Sequence, residues 1–545
     1  MKSIDELNYL GGELHNLHGK KMLIVLSEIK NFDFYRYLFL INHILHKNNN
    51  HVEFLEIEAN VASLNFYPKK FQLNQFKKNN YLTKEYRNIF FNAIQSDTGT
   101  AKRNVMSLSI GNSPLRKYRT LAEFSQDANI DEACKISIKS IFGTHIAKSI
   151  IETNRLTKHE SKTITHMINT YNEIVVNFPL DILNNFDSVL VLNGRMPDQA
   201  AIVNIVKLNS KEIFHFEHGS VPRETFFFEK FPPQNILQNQ RMFLKRYKGN
   251  FESIITRKRG EVQSWVDNRR INLPNFGPKF ESLLALSPKK IGRRAVLFTS
   301  SLSEFDYYSG VENSYTQLDA LKIVIPKLIE EKFEIIVRIH PNERNHNWRD
   351  LILLSKVLEN FEVQTIYPWE PYSSYQILTS ADVVVVWDST LGIESLLLDI
   401  PVFALSETSY SLITKIPVVS INQIMNSRQL FTQYKIEQGL AVLAASLRLY
   451  YGYNTLELDS TGILQRILDK AYIDQNSKIE KIKFEFQNTF WDKLFIFINN
   501  HFDFRFPAKA ERLLRKFFPY FLSIRILKTI LRLKILFSNF KAYWK

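Results

Sequence analysis

The 545-residue chain has a single cysteine, Cys134. One thiol excludes an internal disulfide and any cysteine-rich metal site, and a reducing compartment is its simplest home. Glycine (17) and proline (18) are scarce, which argues against a loop-dominated or disordered chain. No run of about 18 uncharged apolar residues occurs, so no conventional transmembrane helix is expected. The opening MKSIDELNYLGGELHNLHG has no apolar core behind its positive charge and is not expected to be a signal peptide. These absences together predict a cytoplasmic protein. Internal repeats and low-complexity tracts are missing too. From Arg512 to Lys545 there is no acidic residue, and nine of the fifteen net positive charges fall in that segment. The remainder is only mildly basic, which weakens a whole-surface nucleic-acid reading.

What is present is ordinary globular composition, 45% hydrophobic and 23% charged, with many aromatics: 42 Phe and 23 Tyr. The length exceeds a single core, and two domains with appendages are expected. Lys21–Ser27 reads as a buried strand, a helix follows over about 33–46, and Val52–Ile57 is the next strand. That opening is the start of a doubly wound α/β domain. From about 68 to 180 helical patterns dominate, and this stretch reads as a helical insertion. Strands resume at Ser188–Leu192, ending in Asn193-Gly194-Arg195, and at Glu212–Phe216, ending in Glu217-His218-Gly219-Ser220. Two successive strands then place polar loops side by side at one sheet edge. A carboxylate, an imidazole and a glycine there form a candidate proton-transfer site; a turn whose Glu217 caps a helix or pairs with Arg223 is the plainer reading. Phe226–Phe228 reads as packing.

The segment 273–290, with three prolines and two paired lysines, looks like an interdomain linker. The expected domains are therefore 1–275 and 290–480, with C-terminal helices over 481–545. Ala295–Phe298 begins the second α/β rhythm and closes on Thr299-Ser300-Ser301-Leu302-Ser303-Glu304. Phe333–Ile339 ends at His340-Pro341-Asn342-Glu343. Val383–Val386, four β-branched residues in a row, suits a strand buried on both faces. It ends at Trp387-Asp388-Ser389-Thr390, with Leu391, Ile393, Leu396 and Leu397 at helical spacing behind. Ser389 or Thr390 is the expected N-cap. Ligands bind at strand ends of this kind in open parallel sheets, although an ordinary βαβ crossover would look the same. The last segment, 513–540, sets Phe, Leu and Ile against Arg and Lys at helical spacing. It reads as a basic amphipathic helix for an anionic membrane surface, or as a helix packed on the body.

Asn193–Arg195, Glu217–Gly219, Thr299–Glu304, Arg338–Glu343 (RIHPNE) and Ala381–Ser395 (ADVVVVWDSTLGIES) occur in this order. Together they resemble bacterial capsule and surface-polysaccharide biosynthesis proteins of the GT-B glycosyltransferase type. More loosely, the His-Pro and Ser-Thr pairs are similar to motifs of polysialyltransferases, Kdo-transferring capsule enzymes and teichoic-acid glycerophosphate polymerases. The likeness covers roughly 185–410, and its weight lies in the order of the motifs. In that family an arginine often sits in the middle of the Glu-x-Gly motif, where this chain has His218.

The resemblance implies two Rossmann-like domains facing a cleft, the nucleotide donor on the C-terminal one and the acceptor on the N-terminal one. The implied reaction is sugar transfer from a nucleotide-activated donor to a glycan or lipid-linked acceptor, at the inner face of the cytoplasmic membrane. Glu217 is the expected general base, with His218 as rival or assistant. Arg338 and His340 are expected on the donor phosphate, Ser389 and Thr390 on phosphate oxygens, and Glu394 on the ribose or base. Ser300, Ser301 and Glu304 are expected to line the cleft, with Asn193 and Arg195 near the acceptor. No Asp-x-Asp pair occurs, so no metal or other cofactor is expected, and protein cations and N–H dipoles would neutralise the leaving phosphate. The alternatives are a CDP-polyol phosphotransferase on the same fold, a nucleotide-sugar epimerase, and a non-catalytic glycan-binding protein.

Overall fold

The computed structural model describes residues 13–26, 32–59, 69–98, 102–108, 123, 126–142, 158–219, 225–233, 235–271, 292–301, 315–345, 348–427, 430–431, 437–450, 453–454, 466 and 526–531. The chain divides into two compact units. One comprises 1–235 with 447–493, and the other 236–446 with 494–545.

The first unit is built on a sheet of seven described strands. These are β1 (Lys21–Leu26), β2 (His51–Ala59), β3 (Lys102–Leu108), β4 (Ser188–Leu192), β5 (Glu212–His218), β6 (Thr225–Glu229) and β12 (Tyr453–Asn454). Their spatial order is β12-β6-β5-β4-β1-β2-β3. Strands β1 to β5 are parallel, β6 is antiparallel to β5, and β12 is antiparallel to β6. The central strands are continuous apolar runs because both faces are covered. One face packs on Tyr37, Leu38, Ile41 and Phe90 of the helices Phe32–Lys47 and Lys69–Thr98. The other packs on Ile138, Ile164, Met167, Tyr171 and Ile205. Cys134 lies in that second layer with no exposed surface, and burial pushes its thiol up to about 12.

The stretch 68–180 is not purely helical. It contributes β3, whose sequence KRNVMSL hides the strand because it is an edge with charges outward. Arg103 Nε donates to Glu56 Oε1 at 2.7 Å and Lys102 Nζ to Glu53 Oε1 at 2.8 Å. Phe226–Phe228 is also a strand, with Phe226 and Phe228 in the core.

The second unit has five described strands: β7 (Arg293–Phe298), β8 (Phe333–Arg338), β9 (Gln364–Ile366), β10 (Val383–Val386) and β11 (Val402–Ala404). All are parallel, in the order β11-β10-β7-β8-β9. Both sheets therefore have the mixed α/β, Rossmann-like character expected. Each has one place where consecutive strands build outward on opposite sides of the first: between β1 and β4, and between β7 and β10.

The division falls after Asn235, not in the proline-rich segment 273–290, which lies outside the described residues. The helices Ile236–Arg246 and Phe251–Ile271 belong to the second unit. Gln240 shows why. Its buried amide donates to the Thr408 carbonyl at 2.7 Å and accepts the N–H groups of Leu412 (2.9 Å) and Ile413 (3.3 Å). Of the C-terminal segment, 526–531 is helical. Leu527 and Leu531 are buried and Lys528 Nζ pairs with Glu370 Oε1 at 2.9 Å, so this turn packs on the second unit. The rest of the basic tail lies outside the described residues. Among the described residues no helix is long and apolar enough to cross a membrane.

Replacing Gln240 by Ala leaves the half-buried Leu412 N–H without its acceptor and takes one partner each from the Thr408 carbonyl and the Ile413 N–H, which keep Ser411 and Tyr410. The expected loss is about 1–2 kcal/mol, read as a lowered urea midpoint for the unfolding transition of the second unit.

Candidate functional site

In an open α/β sheet, ligands bind beyond the carboxyl ends of the strands where strand order reverses. In the second unit that place is flanked by Thr299-Ser300-Ser301 after β7 and Trp387–Thr390 after β10. Hydrogen bonds tie the two segments together. Ser300 Oγ accepts the Asp388 N–H at 3.0 Å, and the Gln317 amide pairs with the Ser300 peptide at 2.8 and 3.2 Å. Thr299 Oγ1 accepts the His340 N–H at 2.9 Å, bringing in the end of β8. His340 is half-buried. The expected cluster of Ser300, His340 and Ser389 therefore gathers at one sheet edge.

The roles inside that cluster differ from one residue to the next. Ser300 and Ser301 are buried, and the Ser300 hydroxyl is committed to Asp388. The Arg338 side chain is buried, with Nη1 donating to the Tyr367 carbonyl at 2.6 Å. Glu394 has no exposed surface, and its Oε2 accepts the Tyr375 hydroxyl. A carboxylate so enclosed reads as internal support and not as a contact for ribose. Glu304 lies outside the described residues. Thr390 occupies the N-cap position of the helix Leu391–Leu397 but its side chain makes no capping bond. Ser389 Oγ accepts the Leu391 N–H at 3.4 Å, a weak contact. The expected N-cap is thus only loosely formed.

A support beneath this turn was not visible in the sequence. The buried Tyr410 donates its hydroxyl to the Ser389 carbonyl at 2.9 Å, and its ring lies where a Cβ on Gly392 would go. Asp388 Oδ1 accepts from the Ser409 N–H (3.1 Å) and hydroxyl (3.2 Å). Burial raises the Tyr410 phenol well above its ordinary range, with the charges of Asp388 and Glu394 adding to it, so it stays a proton donor. The Ser389 carbonyl also accepts the Gly392 N–H at 2.9 Å. In a planar trans peptide the N–H points opposite to the carbonyl. Holding the Ser389 carbonyl inward therefore turns the Thr390 N–H outward. Among the described residues neither that N–H nor the Thr390 hydroxyl has a hydrogen-bond partner, and Thr390 is half-exposed.

In the first unit the reversal lies between β1 and β4, where Asn193-Gly194-Arg195 leaves the sheet, and Glu217-His218 ends the neighbouring β5. Asn193 Nδ2 donates to Glu217 Oε2 at 2.5 Å, which joins the two expected loops directly. Glu217 Oε1 accepts the His218 N–H at 3.1 Å and lies 3.4 Å from His218 Nε2. The exposed His218 ring rests on Phe34, centroids 5.8 Å apart. The Arg195 carbonyl accepts the Ser137 hydroxyl at 2.6 Å. His215, two residues before Glu217, was missed as a site residue. It is buried, and desolvation, aided by Lys207, drives its imidazole down to about 3, so it is neutral at working pH. The period-two alternation of β5 was the signal available, since it sets residues 213, 215 and 217 on one face.

Residues 292–415 match the family of capsule polysaccharide biosynthesis proteins. That stretch runs from β7 to beyond β11, so it contains the whole strand-end cluster of the second unit. Over that stretch the chain thus resembles capsule polysaccharide biosynthesis proteins. No curated protein matches it in sequence. Among solved structures it is similar to the KpsC β-Kdo 2,4 transferase of Thermosulfurimonas dismutans. That match has 12% identity and TM-score 0.31, and covers 52% of this chain and 87% of that one. For the β-Kdo 2,7 transferase of the same organism the figures are 16%, 0.31, 58% and 88%. For the UDP-GlcNAc 2-epimerase of Neisseria meningitidis they are 11%, 0.24, 82% and 100%. Among the described residues no group of three His, Cys, Asp or Glu side chains is placed to hold a metal ion.

A methyl group on Gly392 would drive into the Tyr410 hydroxyl and ring. Gly392→Ala should therefore destabilise the second unit by about 1–3 kcal/mol. The expected signature is a lowered melting temperature, together with near-ultraviolet circular dichroism showing the displaced tyrosine.

Proposed function

We propose that the chain is a glycosyltransferase of surface-polysaccharide synthesis that uses a nucleotide-activated sugar. One observation carries this reading. The stretch matching the capsule-synthesis family closes on a strand-order reversal where Thr390 presents an N–H and a hydroxyl with no protein partner among the described residues. Two neutral donors on a rigid turn suit phosphate oxygens. His340, tethered to Thr299 at the next strand end, would add charge on the same edge. Arg338 would act from beneath, its buried charge felt through the protein interior more than it would be in water.

In the first unit Glu217 would be the general base that takes the acceptor hydroxyl's proton, with His218 beside it. The reading assigns no step to a metal ion. Neutralisation of the leaving phosphate would fall to His340, Arg338 and the Thr390 turn. Place in the cell belongs to the same proposal: the inner face of the cytoplasmic membrane, with the basic residues beyond 531 on anionic lipid.

The donor assignment is tested by melting the purified protein with CMP, CDP, UDP, GDP and their sugars. A ligand that binds the folded state raises its melting temperature by mass action. One nucleotide class is expected to do so, and Thr390→Val and His340→Ala are each expected to abolish most of the shift. A screen with no stabilising nucleotide would remove the donor site. For the base, Glu217→Gln should slow sugar transfer by about 100-fold or more with donor affinity unchanged. Full activity in that variant would take the role away from Glu217.

A further inference from the structure

The chemistry assigned to Glu217 depends on where its carboxylate points. A Glu side chain has three torsions, the last of them broad, and at a half-buried strand end something must choose among them. The NGR loop makes that choice. Asn193 Oδ1 accepts the Arg195 N–H at 2.9 Å, which fixes the amide so that its nitrogen faces Glu217. Nδ2 then meets Oε2 at 2.5 Å, while the His218 N–H meets Oε1 at 3.1 Å. Both oxygens are anchored by neutral donors. Unlike a lysine or arginine, an amide holds a carboxylate without cancelling its charge.

The loop has a floor of its own. The buried His215 ring fills the space against Gly194, the residue that follows Asn193. A Cβ at Gly194 would come within 2.9 Å of His215 Cε1, and φ there is +77°, so only glycine fits on two counts. The Asn193 N–H is fastened to the Phe216 carbonyl at 3.0 Å. One hydrogen of the asparagine amide is thus engaged by Glu217.

We propose that Asn193, seated on His215, is a positioning residue that sets the direction of the Glu217 carboxylate, and that His215 acts on the reaction only through it. The inference rests on Glu217 being the base. A misplacement of about 1 Å at such a group costs on the order of 100-fold in rate, so the amide should matter to turnover and not to donor binding.

The test uses the full chain with Asn193→Ala and the isosteric Asn193→Asp, the latter carrying the test if the alanine variant fails to fold. Crystal structures of the variants need no substrate. The Glu217 carboxylate is expected to leave its present rotamer, and an unmoved carboxylate overturns the proposal. Kinetics use whichever CMP-, UDP- or GDP-sugar raises the melting temperature, with nucleotide release as the readout. We expect kcat to fall about 10- to 100-fold with KM for the donor unchanged. In a Glu217→Gln background, Asn193→Ala and His215→Phe should change nothing further. Losses that multiply in the double variants, or that appear in KM alone, would overturn the positioning role. A fully active Glu217→Gln would instead strike at the base assignment, and the crystallographic comparison would still decide whether Asn193 orients the carboxylate.

Discussion

One hydrogen bond, from the Asp388 N–H to the Ser300 hydroxyl, spans the place where the second sheet reverses its strand order. β10 is the neighbour of β7 in space but follows it by some eighty residues in the chain, so their loops have no local reason to keep a fixed distance. Gln317 grips the Ser300 peptide from the helix Gln317–Glu330, and Ser409 grips the Asp388 carboxylate. Each bond is made by a buried group that would be costly to leave unpaired. The outcome is a turn with the Ser389 carbonyl directed inward and Thr390 left presenting its donors.

The first unit reaches a similar end by other means. Its reversal lies between β1 and β4, and the polar groups there are stiffened by a left-handed glycine and a buried imidazole. The low basicity of His215 fits this structural task, because desolvation in the layer it shares with Ile213 and Val191 disfavours a charged ring.

Much of the scaffold was legible in the sequence. Val383–Val386, Val189–Leu192 and Leu23–Leu26 are apolar runs that only strands covered on both faces explain. β3 was not legible, because an edge strand with Lys102 and Arg103 outward carries no such run. Nor was the allegiance of Ile236–Ile271, which depends on the partners of Gln240. The candidate site was legible at the level of loops, and the engagements of individual atoms were not. Ser300, Arg338 and Glu394 have the right chemistry for a ligand, and each spends a polar atom on another part of the protein. Residue type and spacing do not reveal whether a hydroxyl is already engaged, and that decides between a support and a contact. Tyr410 shows the converse, an aromatic that reads as core and yet orients a backbone carbonyl.

The buried state of Cys134 has a practical side. Thiol reagents attack the thiolate, and a sulfhydryl shielded in the second helical layer, with its ionisation pushed to about 12, offers almost none at neutral pH. The natural chain therefore already serves as a silent background for maleimide chemistry. A cysteine introduced on either unit would carry a fluorophore or spin label alone, and distances between such labels could follow the two units with and without added nucleotide, without first removing a native residue.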